Sequence, residues 1–166
     1  MITAAILTLS DKGSRNERED LGGPLIRDML KAIDAEVSFY EIIPDEKELI
    51  IEKLIEYSRT VDLIITTGGT GLSPRDVAPD ATLEVIDRVI PGIAEAMRMA
   101  GLKKTNRAML SRAVAGVRGK TLIINLPGSP KAVKEGLNAI MDVIPHAIEK
   151  IKGSTEDCAV SEGAGA

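Results

Sequence analysis

Cysteine is almost absent from this chain: Cys158 stands alone among 166 residues. That excludes an intrachain disulfide framework and a cysteine-ligated metal centre within one chain. Aromatic residues are nearly as scarce, with Phe39, Tyr40 and Tyr57 and no tryptophan. Three rings are too few for a stacking platform for single-stranded nucleic acid. Any heterocyclic ligand must therefore be held by backbone, polar groups and aliphatic walls. Excess positive charge is also missing. The formal net charge of -4 argues against nucleic-acid binding driven by phosphate neutralisation, though not against a local site for a small phosphorylated ligand. No apolar run approaches a membrane span. Met1-Ile2-Thr3 leads straight into an apolar segment without a leader-like pattern, so the expected compartment is the cytoplasm. A second histidine is lacking too, and His146 beside Pro145 reads as a surface residue.

What is present is an ordinary globular mixture, 44% hydrophobic and 28% charged, of a length suited to one domain. Strand-like and helix-like segments alternate. Residues 4–9 form a short apolar run and read as a buried strand. Pro24 opens an expected helix with Ile26, Met29, Leu30 and Ile33 on one face. Residues 36–43 read as an outer strand, and Asp45 begins a helix with Ile51, Leu54 and Ile55 inward. Residues 61–67, VDLIITT, carry the strongest strand signal, a near-continuous apolar run of the parallel-sheet kind. Helices are expected over 82–89 and 92–101, broken at Pro91-Gly92, followed by a buried strand over 121–126, TLIINL. From Pro130 a last helix carries Val133, Leu137, Ile140, Met141 and Ile144, with Pro145 expected to kink or break it before Ile148 and Ile151. The alternation predicts an α/β fold with a mostly parallel central sheet. Residues 1–153 form the expected domain, and residues 154–166, small and polar, the expected flexible C-terminal tail. Cys158 falls in that tail with no base beside it.

Ligands in open α/β sheets collect beyond the carboxyl ends of the strands. Three loops leave such ends: Ser10-Asp11-Lys12-Gly13, Gly68-Gly69-Thr70-Gly71 running on to Thr82, and Pro127-Gly128-Ser129-Pro130. Glycines let backbone N–H groups approach an oxyanion, although a tight turn also explains them. The second loop lacks the P-loop spacing, and Pro74 stands where a dinucleotide fingerprint needs its third glycine. Ser129-Pro130 has the form of a helix N-cap followed by a first-turn proline, and the helix start it creates also suits an anion.

Mg²⁺ beside phosphates is held by one or two carboxylates. Asp45, with Glu48 three residues on, is a candidate that also matches a helix cap. Asp76 sits in the glycine-rich loop beside Arg75, where a local Arg75–Asp76 contact is the alternative. Asp80 reads as a cap for the helix at Thr82, and Glu95 with Arg98 as a solvated helical pair. Arg75, Arg112 and Lys131 are the nearest cations, and Met97, Met99 and Met109 read as core or interface filler.

TGGTG at 67–71, PRDVAPDAT at 74–82, Pro91-Gly92, LSRAVAGVRG at 110–119 and INLPGSP at 124–130 together resemble the MogA/MoaB family of molybdopterin adenylyltransferases. They also resemble the corresponding domain of fusion proteins such as gephyrin. The likeness runs in order from Ser10-Asp11 through Ile43-Pro44-Asp45 to Gly153, and the first loop, SDKGSRNERED, departs from it by its unusual charge. The resemblance implies a three-layer α/β/α sandwich with one antiparallel strand and a homotrimer. It implies AMP transfer from Mg-ATP to the phosphate of molybdopterin, with pyrophosphate released and the product passed to a downstream molybdenum-insertion protein. Carried onto this chain, Asp45 and Asp76 are the expected catalytic and Mg²⁺-binding residues. Ser10, Asp11, Gly68, Gly69, Thr70, Gly71, Arg75, Asp80, Pro127, Gly128, Ser129 and Pro130 are the expected substrate-binding residues. The alternative is a non-catalytic oligomer that binds and stores molybdopterin.

Overall fold

The computed structural model describes residues 1–155. The expected tail lies outside the described residues from residue 156 onward, and Cys158 with it. A six-stranded sheet runs in the order β2-β1-β3-β6-β5-β4. Its strands are β1 (Ile2–Leu9), β2 (Ala35–Ile43), β3 (Leu63–Thr67), β4 (Arg88–Val89), β5 (Ala115–Arg118) and β6 (Thr121–Leu126). β2, β1, β3 and β6 are mutually parallel, while β5 runs antiparallel to both β6 and β4.

The near-continuous apolar strands serve two cores, because successive side chains leave opposite faces. Ala4, Ile6, Leu63, Ile65, Leu122 and Ile124 pack beneath α2 (Gly22–Leu30), α5 (Pro91–Leu102), α6 (Pro130–Ile140) and α7 (Val143–Ile151). Ala5, Leu7, Ile64 and Ile123 pack against α3 (Lys47–Tyr57) and α4 (Ala78–Val85) on the other face. With the four-residue helix α1 (Asp11–Ser14) in the first loop, the result is the three-layer α/β/α sandwich.

Several boundaries differ from those read in the sequence, each for a local reason. α2 begins at Gly22, two residues before Pro24, because the Asp20 carboxylate accepts from the N–H groups of Gly22 and Gly23. In α3 the buried face is Ile50, Leu54 and Tyr57, with Ile51 and Ile55 flanking it. α4 starts at Ala78 with Pro79 in its first turn, so residues 88–89 are released to form β4. The last helical stretch breaks at Met141–Asp142, ahead of Pro145, which occupies the first turn of α7 where its missing N–H has no helical partner to lose. β5 carries a glycine and only four residues, too short a pattern to announce itself.

Candidate active site

The carboxyl ends of β1, β3 and β6 share one edge because those strands are parallel. β1 leads to β2 on one side and has β3 on the other, so the crevice beside it is a topological switch point. The three glycine- and serine-bearing loops meet there. Gly68 donates its N–H to Leu126 O (3.1 Å) and has φ of 96°, and a Cβ added to it would stand 2.4 Å from Leu9 O. Only glycine fits that position. A Cβ on Gly128 would stand 3.3 Å from Gly68 Cα, and Thr67 Oγ1 donates to Pro127 O at 2.7 Å. Ser129 caps α6 by accepting from Ala132 N–H (3.2 Å), with Pro130 following as expected.

Asp45 does not cap α3. Asp11 N–H donates to Asp45 Oδ2 (3.1 Å), and Asp45 N–H donates to Asp11 Oδ1 (3.0 Å), tying the first loop to the end of β2. Asp45 Oδ1 faces the glycine loop, 3.1 Å from where a Gly69 Cβ would lie. Asp76 accepts from Ser73 N–H (2.9 Å), and its Oδ2 stands 2.8 Å from where a Gly71 Cβ would lie. Arg75 does not pair with Asp76. Its guanidinium forks onto Asp11 at 3.0 and 2.7 Å and reaches Glu46 at 3.4 Å. Burial pushes the Asp45 carboxyl above the ordinary aspartate value, and the Asp11 and Asp76 charges add to that push. Asp11 is held below the ordinary value by its bonds to Arg75 and to the Asp45 N–H.

Asp80 is not a cap either. It lies in the first turn of α4 and pairs with Arg112, which keeps its carboxyl below the ordinary value. Arg112 itself bridges to the glycine loop, so it is not available as a loose cation. Arg98 is likewise committed, donating to Ser111 O (3.3 Å) and Ala113 O (3.0 Å) rather than serving a solvated pair. Met97 is core, whereas Met99 and Met109 are exposed.

Two clefts flank the glycine loop. One, of about 400 Å³, is lined by Thr8, Ser10, Asp20, Thr67, Gly128 and Ser129 among others. The other, of about 290 Å³, is mainly apolar and lies between α5, α6 and the turn at Asn106–Leu110, with Thr70, Gly71 and Pro127 in its wall. Asp45, Asp76, Arg75, Asp80, Gly68 and Gly69 line neither cleft. They occupy the ground around the loop itself.

Asp20 was not among the residues expected here. Its Oδ2 accepts from Thr8 Oγ1 (2.6 Å) and from the Tyr40 hydroxyl, while Oδ1 takes the two α2 N–H groups. Burial works to raise the Asp20 carboxyl, but these four hydrogen bonds outweigh it and leave it lowered. Tyr40 is pushed up to about 12 by burial and then by Asp20. An aspartate just ahead of Gly22-Gly23-Pro24 was the available signal, since it has the form of a helix-start cap.

Among the described residues no group of three or more His, Cys, Asp and Glu side chains could cage a metal unaided. Two carboxylates beside a glycine loop do fit Mg²⁺, which keeps waters and shares phosphate oxygens. Asp45 in particular is a carboxylate raised by burial and like charge, a situation that a cation relieves.

Residues 5–146 match the family of probable molybdopterin binding domains. The molybdopterin adenylyltransferase of Helicobacter pylori (strain ATCC 700392 / 26695) is 43% identical over 159 residues, 92% of this chain and 89% of its own length. Gephyrin of Dictyostelium discoideum is 42% identical over 154 residues, which take 86% of this chain and 21% of gephyrin. The crystal structure of the molybdopterin biosynthesis enzyme MoaB from Thermus thermophilus aligns with a TM-score of 0.87 at 51% identity, covering 93% of this chain and 98% of that one. The chain therefore belongs to the molybdopterin-binding-domain family and, within it, stands with the enzymes named molybdopterin adenylyltransferase.

Proposed function

We propose that this protein transfers AMP from Mg-ATP to the phosphate of molybdopterin. A phosphate oxygen of molybdopterin forms a bond to the α-phosphorus of ATP, the bond from that phosphorus to the β,γ-diphosphate breaks, and pyrophosphate leaves with its charge. The observation that carries this reading is the approach of Asp45 and Asp76 to Gly69 and Gly71 of a single loop. Carboxylates beside backbone able to cradle phosphate are what nucleotidyl transfer requires.

Asp45 and Asp76 are the residues that would hold Mg²⁺, and the bound ion neutralises triphosphate charge. The chain's own work is positioning. Gly69, Thr70 and Gly71 offer backbone N–H groups to phosphate oxygens, while Gly68 seats the loop through its N–H to Leu126 O. Ser10 and Pro127-Gly128-Ser129-Pro130 border the clefts in which the pterin and its phosphate are oriented. Arg75 moderates the carboxylate charge through Asp11, and Asp80 acts through the wall of the loop.

The protein works as a cytoplasmic homotrimer that hands adenylylated molybdopterin to a molybdenum-insertion protein. Met99, Leu102, Met109 and Leu110 support an oligomer, as exposed apolar side chains on α5 and the turn after it. No helix among the described residues is long and apolar enough to cross a membrane. The test is purified protein with molybdopterin and Mg-ATP. Pyrophosphate and molybdopterin-AMP are expected, and EDTA stops their formation. Tight molybdopterin binding without turnover would replace this reading with the storage oligomer.

A further inference from the structure

The geometry points to Arg112 as the positioning residue that fixes Asp76 and the glycine loop, an inference that rests on the proposed transfer reaction. Arg112 lies just ahead of β5, far in sequence from the loop it serves. Its N–H donates to Thr70 O (2.9 Å) and its Nε to Gly71 O (2.9 Å). Nη2 donates to the backbone carbonyl of Asp76, and Nη1 and Nη2 fork onto the Asp80 carboxylate at 3.1–3.3 Å.

One side chain thereby reaches the loop before Asp76, Asp76 itself and the helix after it. Besides Arg112, the backbone around Asp76 is held by its own N–H to Ser73 O (2.9 Å) and by the fork of Arg75 on Asp11. Leu72, Ser73, Pro74 and Arg75 are exposed, and the carboxylate's bond to Ser73 N–H lies within the same turn. At the far end, Ala78 N–H returns to Gly69 O at 3.1 Å. Among these anchors Arg112 is the one that binds the Asp76 carbonyl and ties it at once to the glycine loop and to α4.

The chemistry of the contact explains why arginine stands there. Two carbonyl oxygens and a carboxylate must be bound from one point, at different angles. A planar guanidinium presents five N–H donors in a fixed fork, whereas an ammonium is a point charge on a flexible stem. Asp80 also orients that fork: it sits in the first turn of α4 and draws the guanidinium toward the helix. With its donors committed in this way, Arg112 acts on the reaction through the loop and does not touch substrate.

The test uses Arg112→Lys and Asp80→Asn in the full chain. For Arg112→Lys, kcat is expected to fall on the order of 10–100-fold, the scale of an ångström-size misplacement. KM for molybdopterin stays within about twofold, as befits a residue acting through another. Asp80→Asn moves kcat in the same direction by less, and it keeps the question answerable if Arg112→Lys does not fold. Amide exchange across residues 70–76, followed by mass spectrometry without substrates, speeds up in both variants while the rest of the sheet keeps its protection. Guanidinium ion added to an Arg112→Gly variant restores part of kcat. Unchanged kcat and exchange in Arg112→Lys would overturn the inference, as would a rise in molybdopterin KM with kcat intact. A wild-type protein without turnover would instead remove the transfer reaction, and the exchange measurement would still judge the clamp.

Discussion

Asp11 and Asp45 bind each other in both directions, each backbone N–H donating to the other's carboxylate, at 3.1 and 3.0 Å. Two like charges are thus fastened together at the mouth of the site, and only Asp11 has an arginine on it. At Asp45 burial and like charge outweigh the Asp11 N–H bond and the Arg75 charge, and its carboxyl is raised.

Replacing Asp45 with asparagine should therefore separate stability from activity. The folded-state value of Asp45 is raised above its unfolded value, so the fold favours the protonated form. Stability falls as pH rises through the folded value, and at pH 7 the ionised group is a cost. Asparagine keeps an oxygen to accept from Asp11 N–H and carries no charge. The melting temperature at pH 7 should be unchanged or higher, by no more than about 2–4 °C, while turnover drops on the order of 10²-fold. The advantage should vanish below the unfolded value near 3.8. Calorimetry at both pH values checks this, and a lower melting temperature at pH 7 would contradict it.

Arg75→Ala moves the acid side of the pH–rate profile. Arg75 lowers Asp11 chiefly by hydrogen bonding and lowers Asp45 through its charge. Without it both carboxyls take up protons at a higher pH, so activity should fail earlier on acidification. The pair is exposed, so stability should change little. A profile displaced toward lower pH would show that Arg75 acts in another way.

Hydrophobic pattern made the central strands and the helical faces of α2 and α6 legible in the sequence, because burial enforces periodicity there. The glycine loop and the LPGSP loop were equally readable, since backbone crowding leaves few residue types possible: Gly68 against Leu9 O is the clearest case. Asp45, Asp76 and Asp80 could be picked out as carboxylates, but not their partners. The Asp45–Asp11 contact spans 34 positions, Arg75–Asp11 spans 64 and Arg112–Asp80 spans 32. No local pattern records such pairings. For the same reason Asp45 and Asp80 have the local form of caps although each is held in a tertiary pair, whereas Asp20 carries a local helix-start signal and takes only its Thr8 and Tyr40 donors from farther along the chain.

Asn125 illustrates the cost of breaking such a hidden contact. Within the apolar TLIINL strand it is fully buried, donating to Thr66 Oγ1 and Thr82 Oγ1 at 2.9 Å and accepting from Val114 N–H at 3.2 Å. It joins β6 to β3, to α4 and to the segment leading into β5. Asn125→Ala leaves the Val114 N–H without that acceptor and opens a cavity, so a loss of about 2–4 kcal/mol is expected by urea denaturation. A loss under about 0.5 kcal/mol would mean that water or a backbone shift satisfies the site.

Asp20→Asn probes the wall of the cleft that Ser10 and Ser129 also line. The carboxylate accepts all four of its hydrogen bonds, and asparagine can accept at one oxygen only. Its NH₂ would face either the two α2 N–H groups or the Thr8 and Tyr40 hydroxyls. Because the folded-state value is lowered, the stability Asp20 contributes is present above the unfolded value and lost as pH falls through the folded one. The variant should be destabilised by about 1–3 kcal/mol at pH 7 and by progressively less in acid. A destabilisation that stays constant from pH 7 to pH 2 would remove charge from the explanation.

Asp76→Asn brings the structural and the chemical roles of that residue into direct conflict. Structurally, Asp76 accepts one N–H bond from Ser73 within an exposed turn, and its neighbour Arg75 is bound elsewhere. Asparagine can still accept that bond, so the change in stability should be well under about 1 kcal/mol. Chemically, the proposed role is to hold Mg²⁺ beside the triphosphate from a position against Gly71. Removing the charge there takes away a preorganised electrostatic group, which lowers turnover by about 10²–10³-fold. Molybdopterin binding in the absence of nucleotide should persist, because neither cleft wall includes Asp76. The variant is therefore expected to fold, to bind molybdopterin and to turn over at least about a hundredfold more slowly, as read by calorimetry, ligand titration and pyrophosphate release. Near-normal turnover would move the metal to a different carboxylate, and loss of molybdopterin binding would make Asp76 part of the pterin site instead.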